Sequence, residues 1–200
     1  GSALADIVYG NIAPSGRMPV TVPYNESQLP SQYLDGSMSI SPGRTYRYLK
    51  DDIAPPLYWF GQGLGYSSFT YDEVTLHPSY PIHSGNVSLE EFITVSVAVT
   101  NNGEYKTSSS DHVVMVFAQV LPSNLSTQQL ASLPTRQLVG FQRVTLPVNL
   151  VQVVSIKFSA SRLRLVDDQG RYQILKGKYK LWIGDVNDKT GDNVVYLDVE

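Results

Sequence analysis

No cysteine occurs in the 200 residues, which excludes disulfides, thiol nucleophiles and thiolate zinc sites and leaves the redox compartment open. Charge is scarce: 16% of residues are charged, with 15 Lys and Arg against 18 Asp and Glu, for a net charge of −3. No Lys/Arg cluster stands out, so neither nucleic acid nor an anionic membrane is expected as a partner. The longest apolar run, Val113 to Leu121, is interrupted by Gln119 and is too short to span a bilayer. His77, His83 and His112 have no ligand spacing. The segment "DVNDKTGDN" (185–193) places Lys189 where a calcium loop needs an oxygen ligand and lacks its terminal Glu. No metal or cofactor is therefore expected. A G-x-S-x-G elbow is missing too, which removes the usual signature of one large class of serine hydrolases.

With 42% hydrophobic residues the chain can bury a core. From Ser68 onward the pattern is all-β. Candidate strands are "FTYDEVTL" (69–76), "FITVSVAVT" (92–100), "HVVMVFAQVL" (112–121) and "RQLVGFQRVTL" (136–146). Further on come "VQVVSIKFS" (151–159), "GKYKLWIGD" (177–185) and "NVVYLDV" (193–199). "FITVSVAVT" alternates with period two, as a half-buried strand does. Short strands with turn signals and no helix between them predict a two-sheet sandwich. Val95, Val97, Val114, Val116, Phe141, Ile156, Trp182 and Tyr196 are its expected buried residues.

The first 67 residues differ. "ALADIVYG" (3–10) has helical apolar spacing, with Ser2 as candidate N-cap and Gly10 as C-cap, and "SGRMPVTVP" (15–23) reads as a turn and a short strand. One helix and one strand cannot make a sheet, so this is the tail of a larger α/β domain. Residues 24–66 are rich in Pro, Gly, Ser and Tyr and read as an ordered linker that packs along a surface. Within it, "GQGLG" (61–65) leads into a strand rather than a helix, which argues for a backbone hinge over a phosphate loop.

Catalytic candidates are few. The adjacent acids Asp51/Asp52, Glu90/Glu91 and Asp167/Asp168 point opposite ways on an extended chain, whereas a glycosidase needs two carboxyl groups facing each other, roughly 5–9.5 Å apart. No catalytic residue is assigned. "PGRTYRYL" (42–49) is different: Arg44, Tyr46 and Arg47 combine stacking with directed hydrogen bonding and are candidates to line a substrate cleft, or to pin linker carbonyls. Three sequons, at Asn25, Asn86 and Asn124, lie in polar stretches and favour a secretory route with glycosylation.

Three segments, in order, resemble the C-terminal portion of glycoside hydrolase family 3 enzymes. "GSALADIVYGNIAPSGRMPVTVP" is similar to the last helix and strand of the family's α/β-sandwich domain. "GRTYRYL" is similar to its linker motif, in the form of the β-xylosidase and α-arabinofuranosidase branch, and "LYWFGQGLGYSSFTY" to the entry of its fibronectin type III-like domain. "LVGFQRVTL" and "GKYKLWIGD" resemble strands of that last domain; Gly65 and Trp59 depart from the family's usual Ser and Pro.

The resemblance implies a helix–strand remnant of an α/β domain over 1–23, a linker over 24–67 and a fibronectin type III or immunoglobulin-like sandwich over 68–200. It implies partners as well: a TIM barrel with a nucleophilic Asp, the rest of the α/β-sandwich domain with an acid/base Glu, and a carbohydrate substrate. Neither catalytic motif has a counterpart here. The chain is thus expected to be the non-catalytic part of a secreted, extracellular (or lysosomal or vacuolar) glycosidase acting on β-xylosides, arabinosides or β-glucosides. Its start at "GS" fits the family pattern, which suggests a separated C-terminal chain or part of a longer protein. A free-standing sandwich module for adhesion or carbohydrate contact is the alternative, and the incomplete α/β piece argues against it. On this reading residues 1–66 depend on a partner domain.

Overall fold

The computed structural model describes residues 1–31, 34–50, 55–79, 81–82, 91–103, 109–122, 125–167, 169–186 and 191–200. Among these, the first strands are β1 (Phe69–His77), β2 (Phe92–Asn101), β3 (Ser109–Leu121), β4 (Gln137–Pro147) and β5 (Val151–Ser159). A two-residue hairpin pair follows, β6 (Leu165–Val166) and β7 (Tyr172–Gln173), then β8 (Gly177–Ile183) and β9 (Val194–Val199). One sheet has the order β1-β2-β5 and the facing sheet β4-β3-β8-β9, every pairing antiparallel. This is the two-sheet sandwich that the strand pattern predicts.

The core lies between the sheets. On β2, Ile93, Val95, Val97 and Val99 are buried while Thr94, Ser96 and Thr100 are only half-buried, so the period-two reading sets the register correctly. Val114, Val116 and Ile156 join them, with Leu181, Ile183 and Leu197 from β8 and β9.

Two of the residues expected to be buried are exposed, and a third is buried on the other face of its sheet. Phe141 is 65% exposed, because the β3–β4 register shifts at Val116/Phe117 and puts Phe141 opposite Met115 on the outer face. Tyr196 is 53% exposed, since Val195, Leu197 and Val199 of the edge strand β9 carry its inward side. Trp182 is buried, but on the outer face of the four-stranded sheet with Met115 and Phe117. Strand β3 is therefore covered on both faces, which explains its nearly unbroken apolar run.

A helix does interrupt the strands. α3, Thr127–Ser132, follows β3 and is closed by a capping box in which Gln129 N–H donates to Ser126 Oγ (3.3 Å) and Ser126 N–H to Gln129 Oε1 (3.0 Å).

At the N-terminus, α1 spans Ser2–Val8 with Gly1, not Ser2, as N-cap, and buries none of its residues. The strand expected at 15–23 does not form. Residues 18–22 run antiparallel to 57–62 instead, through Met18 N–H to Gln62 O (2.8 Å), Gly61 N–H to Met18 O (2.8 Å) and Leu57 N–H to Val22 O (2.9 Å), with a single bridge between Val22 and Tyr58. The linker supplies the hydrogen-bond partners of this segment.

Candidate functional site

The most constructed polar and aromatic region is the seam where the linker crosses the outer face of the four-stranded sheet. Strands β3 and β8 present Met115, Phe117 and Trp182 outward, and the short helix α2 (Thr45–Tyr48) with residues 59–60 covers them. Tyr46 stacks on Phe60 with centroids 4.2 Å apart, and both meet the edge of fully buried Phe117 at 6.3 and 6.4 Å. Phe117 in turn stacks on Trp182 at 5.5 Å. The Tyr46 hydroxyl accepts from Leu138 N–H at 3.2 Å, which uses the polar end of the ring as well.

Arg136, 7% exposed, closes this seam. Its guanidinium donates to Leu49 O (3.4 Å) in the linker and Val186 O (3.3 Å) in the sandwich, and lies 5.7 Å from the Trp59 ring centre. The Arg47 carbonyl accepts from Thr135 N–H (2.7 Å), Thr135 Oγ1 (2.9 Å) and Arg136 N–H (3.3 Å).

A second fastening joins residues 14–17 to the sandwich. Arg17 Nη2 lies 2.9 Å from His112 Nδ1, and Tyr71 Oη lies 2.6 Å from His112 Nε2. Arginine can only donate, so Nδ1 accepts and the ring carries its proton on Nε2, directed at the Tyr71 oxygen. Phe69 stacks on the imidazole at 3.9 Å. Burial, reinforced by the neighbouring Arg17 charge, pulls the His112 pKa down to about 4, so the ring is neutral at pH 7. Nearby, Arg143 pairs with Asp111 (2.5 Å) and reaches Ser15 Oγ (3.1 Å). Bonds from Thr145 and then Arg143 hold the Asp111 carboxyl below its usual range. Asp167 is held low in the same way, first by the Arg171 backbone N–H.

The glycine run proves to be a seat for incoming chain. Gly61 turns at φ 78°, where L side chains are strained. Gly63 lies so close to Gly16 O and the Arg17 side chain that a methyl group would collide with both. A phosphate loop is not built here, and the glycines do more than the hinge reading assigned to them.

The three cleft candidates do not converge. Arg44 donates to Ser37 O (3.2 Å) and Asp35 O (2.9 Å), pinning linker carbonyls, and borders a cavity of ≈ 300 Å³ with Leu29, Met38 and Leu49. Tyr46 is committed to the aromatic seam. Arg47 donates to Gln137 Oε1 (2.8 Å) and borders a different cavity, of ≈ 530 Å³. Asn25 is exposed at the start of a 3₁₀ turn, its side-chain oxygen accepting from Ser27 N–H (3.0 Å) and Oγ (2.6 Å). Asn86, Asn124, His83, the pair Asp51/Asp52, and Glu90 and Asp168 of the other two acidic pairs lie outside the described residues, as do residues 187–190. Among the described residues no group of three His, Asp or Glu side chains is placed to hold a metal ion, and no helix is long and apolar enough to cross a membrane.

Sequence reasoning missed His112, Arg17 and Arg136. Their partners are distant in the chain: 95 residues separate Arg17 from His112 and 87 separate Leu49 from Arg136.

Comparison with known proteins gives a consistent result. Residues 1–66 match the glycosyl hydrolase family 3 C-terminal domain, and residues 112–186 match the fibronectin type III-like domain. A periplasmic β-glucosidase of Salmonella typhimurium is 31% identical over 189 residues, covering 92% of this chain but 23% of the relative. A probable exo-1,4-β-xylosidase of Aspergillus clavatus is 31% identical over 199 residues, covering 90% of this chain and 23% of the relative. The solved β-D-glucoside glucohydrolase of Trichoderma reesei superposes with a TM-score of 0.76 at 22% identity, over all of this chain and 29% of that one, which establishes the shared fold.

Proposed function

From the premise that the chain belongs to glycosyl hydrolase family 3, as the C-terminal portion of such enzymes, we propose that it braces the catalytic domains of a glycosidase acting on β-glucosides, β-xylosides or arabinosides. The observation that carries this reading is the pair of fastenings described above: the sandwich grips residues 15–17, 46–49 and 59–60, while α1 is left with Leu4 and Val8 68% and 67% exposed. An apolar helix face held out from a rigid body is a docking element for the rest of an α/β domain. The TIM barrel and the remainder of the α/β-sandwich domain supply the nucleophilic Asp and the acid/base Glu, since retaining hydrolysis needs two carboxyl groups about 5–5.5 Å apart. Arg44 and its cavity border the cleft of the assembled enzyme on this reading, whereas Tyr46 and Arg47 act by positioning the linker. An extracytoplasmic location fits the periplasmic relative, and glycans at Asn25, Asn86 and Asn124 belong to the same proposal.

The test is an assay of the purified chain against aryl β-glucoside, β-xyloside and α-arabinofuranoside, alone and mixed with the catalytic portion of its parent enzyme. Turnover is expected only in the mixture, and Arg44→Ala is expected to weaken it. Turnover by the chain alone, abolished by one Asp or Glu substitution, would overturn the reading.

A further inference from the structure

The sequence shows no Lys/Arg cluster, yet the fold assembles one. The ≈ 530 Å³ cavity lies at the end of the sandwich where β4 begins, and Arg47, Arg162 and Arg164 all line it. Arg47 comes from α2, Arg162 from the 3₁₀ turn at 160–163 and Arg164 from the residue after that turn. Among the described residues no Asp or Glu lines this cavity. The acid nearest in sequence, Asp167, is paired with Arg171 at 2.9 Å. Among the described residues, neither Arg162 nor Arg164 has an ion-pair or side-chain hydrogen-bond partner. Arg47 is oriented by its bond to Gln137, whose own amide donates to Arg162 O, so a single glutamine ties two walls of the cavity together. The Arg47 Nε–H is buried without a partner.

Guanidinium groups on a protein surface are usually just solvated. This trio differs in three respects: Arg47 and Arg164 are half-buried, one donor is cut off from water, and the three converge on a cavity of ligand size. The planar guanidinium fork matches a carboxylate in bidentate fashion. Tyr48 and Tyr172 line the same cavity, the latter 73% exposed, and give flat apolar surface beside the charge, while Ser132 and Ser161 add hydroxyls. Oxyanion, flat ring face and hydroxyls together describe an acidic sugar.

We propose that this cavity binds a uronic-acid-bearing oligosaccharide, the carboxylate held by Arg162 and Arg164 and a sugar ring laid against Tyr172. The anionic half of the proposal rests on the arginines alone; the saccharide half rests on the glycosidase reading. The site is non-catalytic and would hold an acidic polysaccharide near the enzyme.

Calorimetric titration of the full chain tests it with three probes: an aldouronic oligosaccharide, the same oligosaccharide with its carboxyl group reduced, and inorganic sulfate. Binding of the acidic sugar at least tenfold tighter than either control is expected, falling at least tenfold in Arg162→Ala/Arg164→Ala. A melting curve reports whether that variant is folded. If it is not, the salt dependence of the unmodified chain decides, because a guanidinium–carboxylate contact weakens as ionic strength rises. Absence of saturable binding, equal affinity for the reduced sugar, or salt-independent binding would overturn the proposal. Sulfate binding as tightly as the sugar would also overturn it, revealing a bare oxyanion site. Hydrolysis by the reconstituted enzyme is read separately, so the site can fail while the glycosidase reading stands.

Discussion

His112 sits where three segments meet: Arg17 bonds one ring nitrogen, Tyr71 the other, and Phe69 covers a face. A buried imidazole with a pKa near 4, against 6.5 for the free group, makes a directional prediction. The unfolded chain binds more protons between these values, so stability is complete above about pH 6.5 and is lost as pH falls toward 4. The full loss is on the order of 3 kcal/mol, at 1.36 kcal/mol per pH unit. Thermal melts between pH 7 and pH 4.5 should show this fall, and His112→Gln, which cannot titrate, should flatten it. An unchanged slope in the variant would assign the pH dependence to other groups. Nothing in the local sequence marks His112 as a joint. It stands at the start of an apolar strand, and its role exists only once Arg17 is brought beside it.

At the scale of elements, the sandwich strands were legible because burial of one face leaves period-two alternation, as on β2. The misplaced residues have local causes. Phe141 follows a register shift that one strand's sequence does not reveal, and Trp182 faces a linker whose path is tertiary information. The signal for α3 was present as Ser126-Thr127-Gln128-Gln129, a capping box overlooked amid turn-forming residues. The strand expected at 15–23 did not form because residues 57–62 of the linker took up its hydrogen bonds through a single bridge in place of a ladder. Gly63 makes that contact possible. Gly63→Ala should detach residues 14–18, and with them the Arg17–His112 and Ser15–Arg143 bonds, while the sandwich itself stays folded. Limited proteolysis should then cut near Arg17 in the variant and not in the parent chain. Equal resistance of the two would show that Gly63 is not a required point of close approach.

At the scale of the whole molecule, two sheets, a linker and an N-terminal segment are joined by hydrogen bonds and ring contacts, and α1 leaves Leu4 and Val8 exposed. The order of motifs along the sequence conveyed the family and the sandwich. It did not convey that the linker is welded to the sheet by Tyr46, Phe60 and Arg136, since those contacts join residues from 57 to 92 positions apart. The sequence reading made all of residues 1–66 dependent on a partner; in the structure residues 15–22 have partners within this chain, and α1 is the element that buries none of its residues.

Native-state hydrogen exchange on the isolated chain tests this division most directly. The account predicts that the amides of Met18, Val22, Gly61 and Leu138 are protected together with those of Val97 and Val116, while Leu4 and the rest of α1 exchange rapidly. Fast exchange throughout residues 18–62 beside a protected sandwich would contradict it, leaving a sandwich with a loose tail in place of a brace.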